Sequence, residues 1–469
     1  MKPVKTCSNN EHIWENYQNL KVKFDNLRLE NQTLHIELEN IRVELNYLSN
    51  LRYLLHRIVN IIREKAIWKF HQTKKTITSI FFSNNDKNCA FKEDNAYSSD
   101  FRPYQVQIVH PLQQDRPKVL HVIANFYTGG SSRLVVDLIE YLGHKFDQEV
   151  ITRDYPNKVG YVGLSVHHYE RFKNSWEALS FLQQFKPDFL HVHYLGHHRD
   201  SYSELDWKWY NNIFQAAQEY GCRIIENINI PTDPYVSPVV DYYVYVSDYV
   251  SREFGYLGSR NITIYPGSDL SLFSRKDEDD IPDDCIGMVY RLEGDKLNEN
   301  SIDVFIKVIQ RRSKTRALIV GGGYYLELYQ NKVQQAGLSD AFTFTSYVSY
   351  EDLPALYKQM SIFVAPVHTE SFGQVSPFAM GMEIPVVGYD VGAIEEIVGD
   401  CKLIASPGDS DTLASIIIDL LDDRERRIKI GIANRQRAQQ LFSREAMIDS
   451  YSTLYDKILQ VSKVVLSNA

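Results

Sequence analysis

Paired cysteines and long apolar runs are both missing from this sequence. Its five cysteines are scattered, and none forms a CxxC pair or has the spacing of His/Cys zinc ligands. This pattern excludes a disulfide framework and favours reduced thiols in a cytosolic protein. No stretch of about 18 apolar residues is available to span a bilayer, and the N-terminus lacks the apolar core of a signal peptide. We therefore expect a cytoplasmic protein, peripheral at the inner face of the membrane if it touches one.

An overall excess of positive charge is also missing. The 469 residues carry a net charge of −9. Residues 1–81 contain 13 Lys and Arg against 8 Asp and Glu, a balance of +5, so the rest of the chain carries −14. A net-acidic body argues against general nucleic-acid binding. The length is sufficient for two or three domains with sizeable cores.

Residues 1–55 contain a heptad repeat. Apolar side chains alternate spacings of four and three residues over about five heptads, which predicts a coiled coil. The repeat positions are Ile13, Tyr17, Leu20, Phe24, Leu27, Asn31, Leu34, Leu38, Ile41, Leu45 and Leu48. A buried asparagine at an a-type position, here Asn31, fixes the register and favours a parallel dimer. The alternative is one long amphipathic helix folded onto the rest of the chain.

Residues 56–82 are basic and rich in apolar and aromatic side chains. They contain several Lys and Arg residues and a single acidic residue, Glu64, together with Trp68 and several Ile and Phe residues. A basic amphipathic helix of this kind can lie in an anionic membrane interface. The alternative is a helix docked on the body with its cations solvated. Residues 83–115 are mostly polar and are predicted to be a linker.

From Lys118 onward, predicted strands and helices alternate, which is typical of doubly wound parallel sheets. The first strand leads into the turn containing Gly129 and Gly130, where the backbone can approach a ligand closely. An acidic run at 276–284 divides this part into domains at 116–275 and 285–440, followed by a helix within 441–469.

A strand at 187–193 carries a His-x-His pair. Residues two apart on a strand share a face, so His191 and His193 point the same way, with His193 nearer the tip. Such pairs are more often structural than catalytic, and two histidines without a third ligand do not make a convincing metal site. We therefore predict no metal site here.

The stretch around Glu370 predicts a strand, a polar turn and a helix that restarts near Val375. The unsatisfied amides of the helix N-terminus would lie beside Glu370 and favour an anionic or hydroxyl-rich ligand. The alternative is a solvated loop glutamate before an ordinary core helix.

Two cations, Arg291 and Lys296, follow another predicted strand. Cations at a strand tip can clamp a diphosphate, with arginine acting as a fork and lysine as a point charge. The alternative is a pair of surface cations beside Glu293 and Asp295. The glycines at 321–323 do not form a GxGxxG fingerprint, so we predict no NAD site. The acidic triplet at 409–411 precedes a helical run, which indicates a helix cap.

In combination, these motifs resemble those of the retaining family-4 glycosyltransferases, over roughly residues 118–461. The residues in step with the family's donor motif are Glu370, Phe372, Gly373, Ala379, Met380, Pro385, Val386, Val387, Gly392 and Glu396. The family's second glutamate falls on Phe378. The resemblance implies the GT-B fold, in which two Rossmann-like domains face a cleft and a last helix crosses back to the first domain.

The resemblance also implies an activity: transfer of a sugar from a nucleotide-diphosphate sugar to an acceptor hydroxyl, with retention of the anomeric configuration. It implies no cofactor and no metal, since fixed cations stabilise the leaving group. The implied catalytic residues are Glu370, His193, Arg291 and Lys296. The implied donor-binding residues are Gly129, Gly130, Arg291, Lys296, Ser371, Phe372, Gly373, Gln374, Val375 and Phe378.

Phe378 leaves an alternative open, because phenylalanine cannot accept hydrogen bonds from a ribose. The loss would cost about 1–3 kcal/mol of donor binding, unless another group holds the ribose and Phe378 is a core residue. The alternative function is a non-catalytic GT-B scaffold organised by its coiled coil; a nucleotide-sugar epimerase matches the Glu370 stretch less well.

The expected partners follow from these hypotheses. They are a nucleotide-sugar donor and a glycan or lipid-linked acceptor of bacterial surface polysaccharide or glycolipid assembly. A second copy is expected through residues 13–48, and an anionic membrane surface through residues 56–82. No nucleic acid is expected.

Overall fold

The computed structural model of this chain describes residues 103–107, 116–127, 129–155, 160–194, 201–255, 260–275 and 281–467. The predicted coiled coil at 1–55, the basic helix at 56–82 and most of the linker at 83–115 lie outside the described residues and stay predictions. Among the helices that are described, none combines the length and the apolar character needed to cross a bilayer.

The first lobe is built on a sheet of parallel strands. In chain order, the described elements are β1 (Tyr104–Gln105), β2 (Lys118–Asn125), α1 (Gly130–Leu142), β3 (Asp147–Asp154), β4 (Tyr161–Val162), β5 (Val166–His168), α2 (Ser175–Phe185), β6 (Phe189–Tyr194), α3 (Ser201–Tyr220), β7 (Arg223–Ile228), β8 (Val240–Tyr245), α4 (Asp248–Phe254) and β9 (Asn261–Thr263). The large sheet has the order β5-β3-β2-β6-β7-β8-β9, and β1 pairs separately with β4.

The second lobe repeats the plan. Its described elements are β10 (Cys285–Val289), α5 (Asp303–Arg311), β11 (Arg316–Val320), α6 (Leu326–Gln335), β12 (Phe342–Phe344), α7 (Leu353–Tyr357), β13 (Ile362–Ala365), α8 (Val375–Gly381), β14 (Val386–Tyr389), α9 (Ile394–Val398), β15 (Ile404–Ala405), α10 (Ser410–Asp422) and α11 (Arg424–Leu441). The strand order is β12-β11-β10-β13-β14-β15.

The apolar character of the central strands explains this architecture. Strands such as β6 and β13 are buried along their whole length, as expected when helices cover both faces of a parallel sheet. In each sheet the strand order reverses direction at one point, between β2 and β6 and between β10 and β13. Ligands of doubly wound sheets bind outside the carboxyl ends of the strands at such a point.

The last helix, α12 (Arg444–Ser467), packs against the first lobe. Its buried side chains, among them Met447, Tyr451 and Tyr455, share an apolar cluster with Val119 of β2 and Leu134 of α1. The apolar stripe of this helix is therefore buried by the first sheet, although the preceding helices belong to the second lobe.

Two segments cross between the lobes side by side. The backbone N–H of Ser268 donates to the carbonyl of Phe442 at 2.8 Å, and the N–H of Arg444 donates to the carbonyl of Ser268 at 3.0 Å. A Cβ on Gly267 would lie 2.6 Å from the Cα of Arg444. Only glycine allows the two segments to lie this close together.

Candidate functional site

The loops that follow β10 and β13 meet at the point where the strand order of the second sheet reverses. β10 and β13 are hydrogen-bonded neighbours, so their carboxyl ends lie at the same edge. The backbone N–H of His368, after β13, donates to the carbonyl of Lys296, after β10, at 3.0 Å. The structure thus brings Lys296 and Glu370 to one place, although they are far apart in the sequence.

Lys296 and Glu370 form an ion pair, with 2.5 Å between Nζ and Oε1. The side chain of Glu370 is 3% exposed and that of Lys296 is 28% exposed. The same Oε1 accepts the backbone N–H groups of Ser371 at 3.0 Å and Phe372 at 3.4 Å. Glu370 is therefore fixed in orientation, and the ammonium group keeps a partly exposed side.

Glycines make room for this turn. Gly373 and Gly392 both have positive φ, +83° and +58°, which side chains rarely adopt. A Cβ on Gly392 would lie 1.8 Å from the carbonyl oxygen of Glu370, and the N–H of the next residue, Ala393, donates to that oxygen at 3.3 Å. The glycine is required because the loop after β14 presses directly on the backbone of Glu370.

The substitution Gly392→Ala should lower the free energy of unfolding by about 2–4 kcal/mol, because it adds a clash with the Glu370 backbone to an unfavourable φ. Gly408→Ala is the matched control, since Gly408 has φ of +77° and nothing within 4 Å of an added Cβ. Its cost should be about 1 kcal/mol, from φ alone. Urea denaturation measures both, and equal losses would contradict a contact-specific role for Gly392.

Arg291 lies on the exposed side of the same edge. Its side chain is 67% exposed, and its Nη2 lies 2.6 Å from Oδ2 of Asp295. Exposed ion pairs of this kind contribute only about 0–1 kcal/mol, so a doubly charged diphosphate can compete with Asp295 for the guanidinium group. The neighbouring loop is held by the glycine run after β11, where Leu292 N–H donates to the carbonyl of Gly322 at 2.9 Å.

Most predicted donor-binding residues of the turn also contact the first lobe. The carbonyl of Ser371 accepts the Ser247 hydroxyl at 2.6 Å, and the Gln374 side-chain amide donates to the Gly267 carbonyl at 2.7 Å. The ring of Phe372 stacks on Tyr265 at 5.8 Å between centroids. These contacts were not predicted. The backbone N–H groups of Ser371 and Phe372 are also engaged, because they donate to Glu370.

The helix that follows this turn, α8, begins at Val375. The carbonyl of Val375 accepts the hydroxyl of Tyr357 at 3.0 Å. This hydrogen bond ties the first residue of α8 to the end of α7.

Glu396 supplies a second contact between the lobes that the sequence did not reveal. Its carboxylate accepts the backbone N–H groups of Asp248 at 3.0 Å and Tyr249 at 2.8 Å, at the start of α4. Burial raises the pKa of Glu396, and these two amides oppose the rise. Because α4 follows β8 and Glu396 follows β14, the carboxyl ends of the two sheets face each other.

Gly129 and Gly130 lie at the exposed start of α1, where an added Cβ would meet nothing within 4 Å. Burial raises the pKa of Tyr350 in the second lobe, and the charges of Arg133 and Asp137, one and two turns further along α1, also act on it. The start of α1 is therefore near the second lobe, and its glycines present bare backbone.

The structure places His193 in the core of the first lobe and not on an exposed surface. Its side chain is 0% exposed, and its Nε2 lies 3.2 Å from Nδ1 of His121. A contact with a sugar would require the ring to leave this cluster. His193 is therefore a buried member of a histidine cluster, and its role toward the donor sugar stays a prediction.

Phe378 is also a core residue. It is 5% exposed, and its ring stacks on Phe273 at 4.0 Å between centroids with 4° between the planes. Phe273 belongs to the segment that crosses between the lobes. This placement favours the alternative that Phe378 is a core residue, and its predicted contact with the donor stays a prediction.

Comparison with known proteins shows which protein family the second lobe is similar to. Residues 274–437, which contain nearly all of that lobe, match the family model described as glycosyl transferases group 1. The candidate site of Arg291, Lys296 and Glu370 lies within the matched region. This part of the chain is therefore similar to the group 1 glycosyl transferases.

Individual relatives match over part of their length. The chain is 30% identical over 191 residues to the capsular polysaccharide biosynthesis glycosyltransferase CapM of Staphylococcus aureus, covering 38% of this chain and 47% of CapM. It is 33% identical over 151 residues to a GDP-mannose-dependent alpha-(1-6)-phosphatidylinositol monomannoside mannosyltransferase of Mycobacterium tuberculosis (strain CDC 1551 / Oshkosh), covering 30% of this chain and 39% of that protein. The chain thus spans less than half the length of these two curated relatives.

Solved structures match over both lobes. Sucrose-phosphate synthase (tll1590) from Thermosynechococcus elongatus has a TM-score of 0.58 and 18% identity, over 74% of this chain and 100% of that chain. Anabaena Alr3699/HepE in complex with UDP has a TM-score of 0.60 and 16% identity, over 72% of this chain and 100% of that chain. At such identities the likeness shows the fold alone, and it confirms the predicted α/β fold of GT-B type.

Proposed function

We propose that this protein is a retaining family-4 glycosyltransferase, which moves a sugar from a nucleotide-diphosphate sugar to an acceptor hydroxyl. The observation that carries the proposal is the Lys296–Glu370 pair at the edge of the second sheet, where the strand order reverses. A cation for a diphosphate and an acid for sugar hydroxyls stand side by side there. The group 1 glycosyl transferase match over residues 274–437 supports the same conclusion.

The charges of the site suit a pyrophosphate leaving group. Lysine has three N–H donors, and Glu370 takes one of those of Lys296. The exposed side of this ammonium group and the exposed Arg291 can hold the diphosphate, so no metal is required for charge stabilisation in this proposal. Glu370, fixed by backbone amides, then accepts hydrogen bonds from the sugar.

The proposed chemistry keeps the reaction on one face of the sugar. The bond between the anomeric carbon and the diphosphate oxygen breaks, and the acceptor oxygen bonds to the same face of that carbon. The acceptor's proton passes to a phosphate oxygen of the departing diphosphate. Lys296 and Arg291 stabilise the charge that develops on that group, and positioning supplies much of the remaining rate.

The acceptor class is proposed from the relatives. CapM is named for capsular polysaccharide biosynthesis, and the mycobacterial enzyme acts on a phosphatidylinositol mannoside, as its name states. A mannosyltransferase of lipopolysaccharide core biosynthesis, LpsB of Rhizobium meliloti (strain 1021), is 26% identical over 185 residues. We therefore propose a glycan or glycolipid acceptor of surface polysaccharide assembly.

One observation favours a second candidate function, a non-catalytic GT-B scaffold. Phe378 stands where the family has its second glutamate, and the structure places it in the core. A scaffold would keep the fold and its core while losing donor binding. The two candidates therefore differ in whether the purified protein binds any nucleotide sugar.

The deciding experiment is a thermal-shift screen of the full chain against UDP-, GDP- and ADP-sugars. We expect one group of donors to raise the melting temperature, with the shift lost in Glu370→Ala and Arg291→Ala. Lys314→Ala is the control, because Lys314 is an exposed lysine paired with Asp284 at the opposite, amino-terminal edge of the same sheet. If no donor changes the melting temperature, the result would favour the non-catalytic scaffold.

A further inference from the structure

Three buried histidines meet at the centre of the first sheet. His121 lies on β2 directly opposite His191 on β6, and His193 follows two residues later on the same face. The three rings lie close together, with centroids 4.2 Å apart for His191 and His193 and 5.2 Å apart for His121 and His191. His121 thus provides the third ligand that the His-x-His pair lacked in the sequence.

The spacing of the ring nitrogens suits a metal ion. One nitrogen from each ring can be chosen so that all three lie within 4.8 Å of one another. Nδ1 of His121 and Nε2 of His193 are 3.2 Å apart. Two imidazole nitrogens bound to one tetrahedral Zn²⁺ at about 2.0–2.1 Å stand about 3.3 Å apart. Two of the three nitrogens therefore already have the separation required, and the third needs a small ring movement.

The outer hydrogen bonds are those expected of metal ligands. Nε2 of His121 lies 3.0 Å from Oε1 of Gln148, whose amide nitrogen donates to the carbonyl of Leu138. The proton of His121 is therefore held on Nε2, and its Nδ1 lone pair faces His193. Nδ1 of His191 lies 2.7 Å from the hydroxyl of Tyr455 on the last helix. Ligating histidines are oriented by outer partners of this kind.

The cluster also has unmet hydrogen-bonding capacity. Within the described part of the chain, Nε2 of His191 has no hydrogen-bond partner, although this side chain is fully buried. A buried unsatisfied polar atom is costly to leave in a core.

We propose that His121, His191 and His193 bind one transition-metal ion, with Zn²⁺ as the first candidate. Imidazole is a preferred ligand of zinc, copper and nickel, and the cluster contains no thiolate or carboxylate that would favour another class. The site is structural, because all three side chains are 0% exposed and no substrate reaches the ion. It links β2 and β6 and, through Tyr455, the last helix. This inference is independent of the donor site.

The test uses the full chain, expressed with added zinc chloride and dialysed against metal-free buffer. Mass spectrometry of the metal content should find about one zinc per chain, and cobalt chloride should give the visible absorption of cobalt bound to histidine nitrogens. EDTA should lower the melting temperature of the wild-type protein. His121→Gln and His193→Gln should each reduce the zinc content at least tenfold. His168→Gln is the control, because His168 is exposed and lies on the edge strand β5.

Several outcomes would overturn the proposal. A wild-type protein without zinc or a cobalt spectrum would leave the cluster as neutral, hydrogen-bonded histidines. Zinc retained in His121→Gln and His193→Gln would place the metal elsewhere. If these variants do not fold, the zinc content and the cobalt spectrum of the wild-type protein decide the question alone, since three nitrogen ligands give a spectrum different from that of surface-bound cobalt.

Discussion

Replacing Lys296 with alanine should weaken binding of the preferred nucleotide sugar about 10- to 100-fold and slow its turnover about 10²- to 10³-fold. A hydrogen bond to a charged group contributes about 1.5–3 kcal/mol, which corresponds to the expected change in Kd. The larger effect on rate follows from the charge that develops on the leaving diphosphate, which a positioned cation stabilises most strongly in the transition state. Calorimetry and donor-turnover assays measure the two effects separately.

The variant also leaves Glu370 without its ion-pair partner, so its stability must be measured in parallel. Glu370 keeps two backbone amides, and the expected loss is about 1–3 kcal/mol of unfolding free energy. Lys314→Ala removes a lysine far from this edge and should change neither binding nor turnover. If Lys296→Ala keeps wild-type affinity and turnover, then Lys296 neither binds the diphosphate nor stabilises the leaving group.

Replacing Phe378 with glutamate, the residue that the family pattern has there, should destabilise the protein by about 3–5 kcal/mol. The change removes an aromatic ring stacked on Phe273 and places a carboxylate in a site that is 5% exposed. Both the lost packing and the buried charge act in the same direction. Chemical denaturation measures the loss, and calorimetry with the nucleotide sugar should find no gain in affinity.

Phe378→Leu is the control for packing alone. It keeps an apolar side chain and should cost about 1–2 kcal/mol, with donor affinity unchanged. If Phe378→Glu instead folds with wild-type stability and binds the donor more tightly, then Phe378 lines the ribose site and its assignment to the core is wrong.

Local features of the sequence were sufficient to predict the framework of the site. The apolar run of β13, the turn with Glu370 and the restart of helical spacing at Val375 depend on neighbouring residues, and the structure has a strand ending at Ala365 and a helix beginning at Val375. The helix cap at Asp409 is another local feature, and it is confirmed, because its carboxylate accepts the N–H of Thr412 at 3.0 Å.

Pairings between distant residues could not be predicted in the same way. The sequence suggested Lys296 for a diphosphate and Glu370 for a sugar, but their mutual ion pair depends on β10 and β13 being neighbours. The stack of Phe378 on Phe273 depends on the path of the segment between the lobes. In the sequence, a phenylalanine at position 378 in place of the family's second glutamate fits both a lost ligand contact and a repacked core.

The same limit applies to the first lobe and to the contacts between lobes. The His-x-His pair was visible, but His121 joins it only because β2 and β6 are adjacent in register. Ser247 and Glu396 carried no sequence pattern that assigned them a partner, yet both connect the two carboxyl edges. Polar residues next to strand ends in both halves of such a chain are the features that could have indicated these contacts.

The most direct test of the central claim is a crystal structure of the full chain with the nucleotide sugar selected by the thermal-shift screen. We predict diphosphate oxygens within hydrogen-bonding distance of Lys296 Nζ and the Arg291 guanidinium group, and a sugar hydroxyl on the carboxylate of Glu370. A donor bound elsewhere, or one whose diphosphate contacts neither cation, would contradict the proposed site.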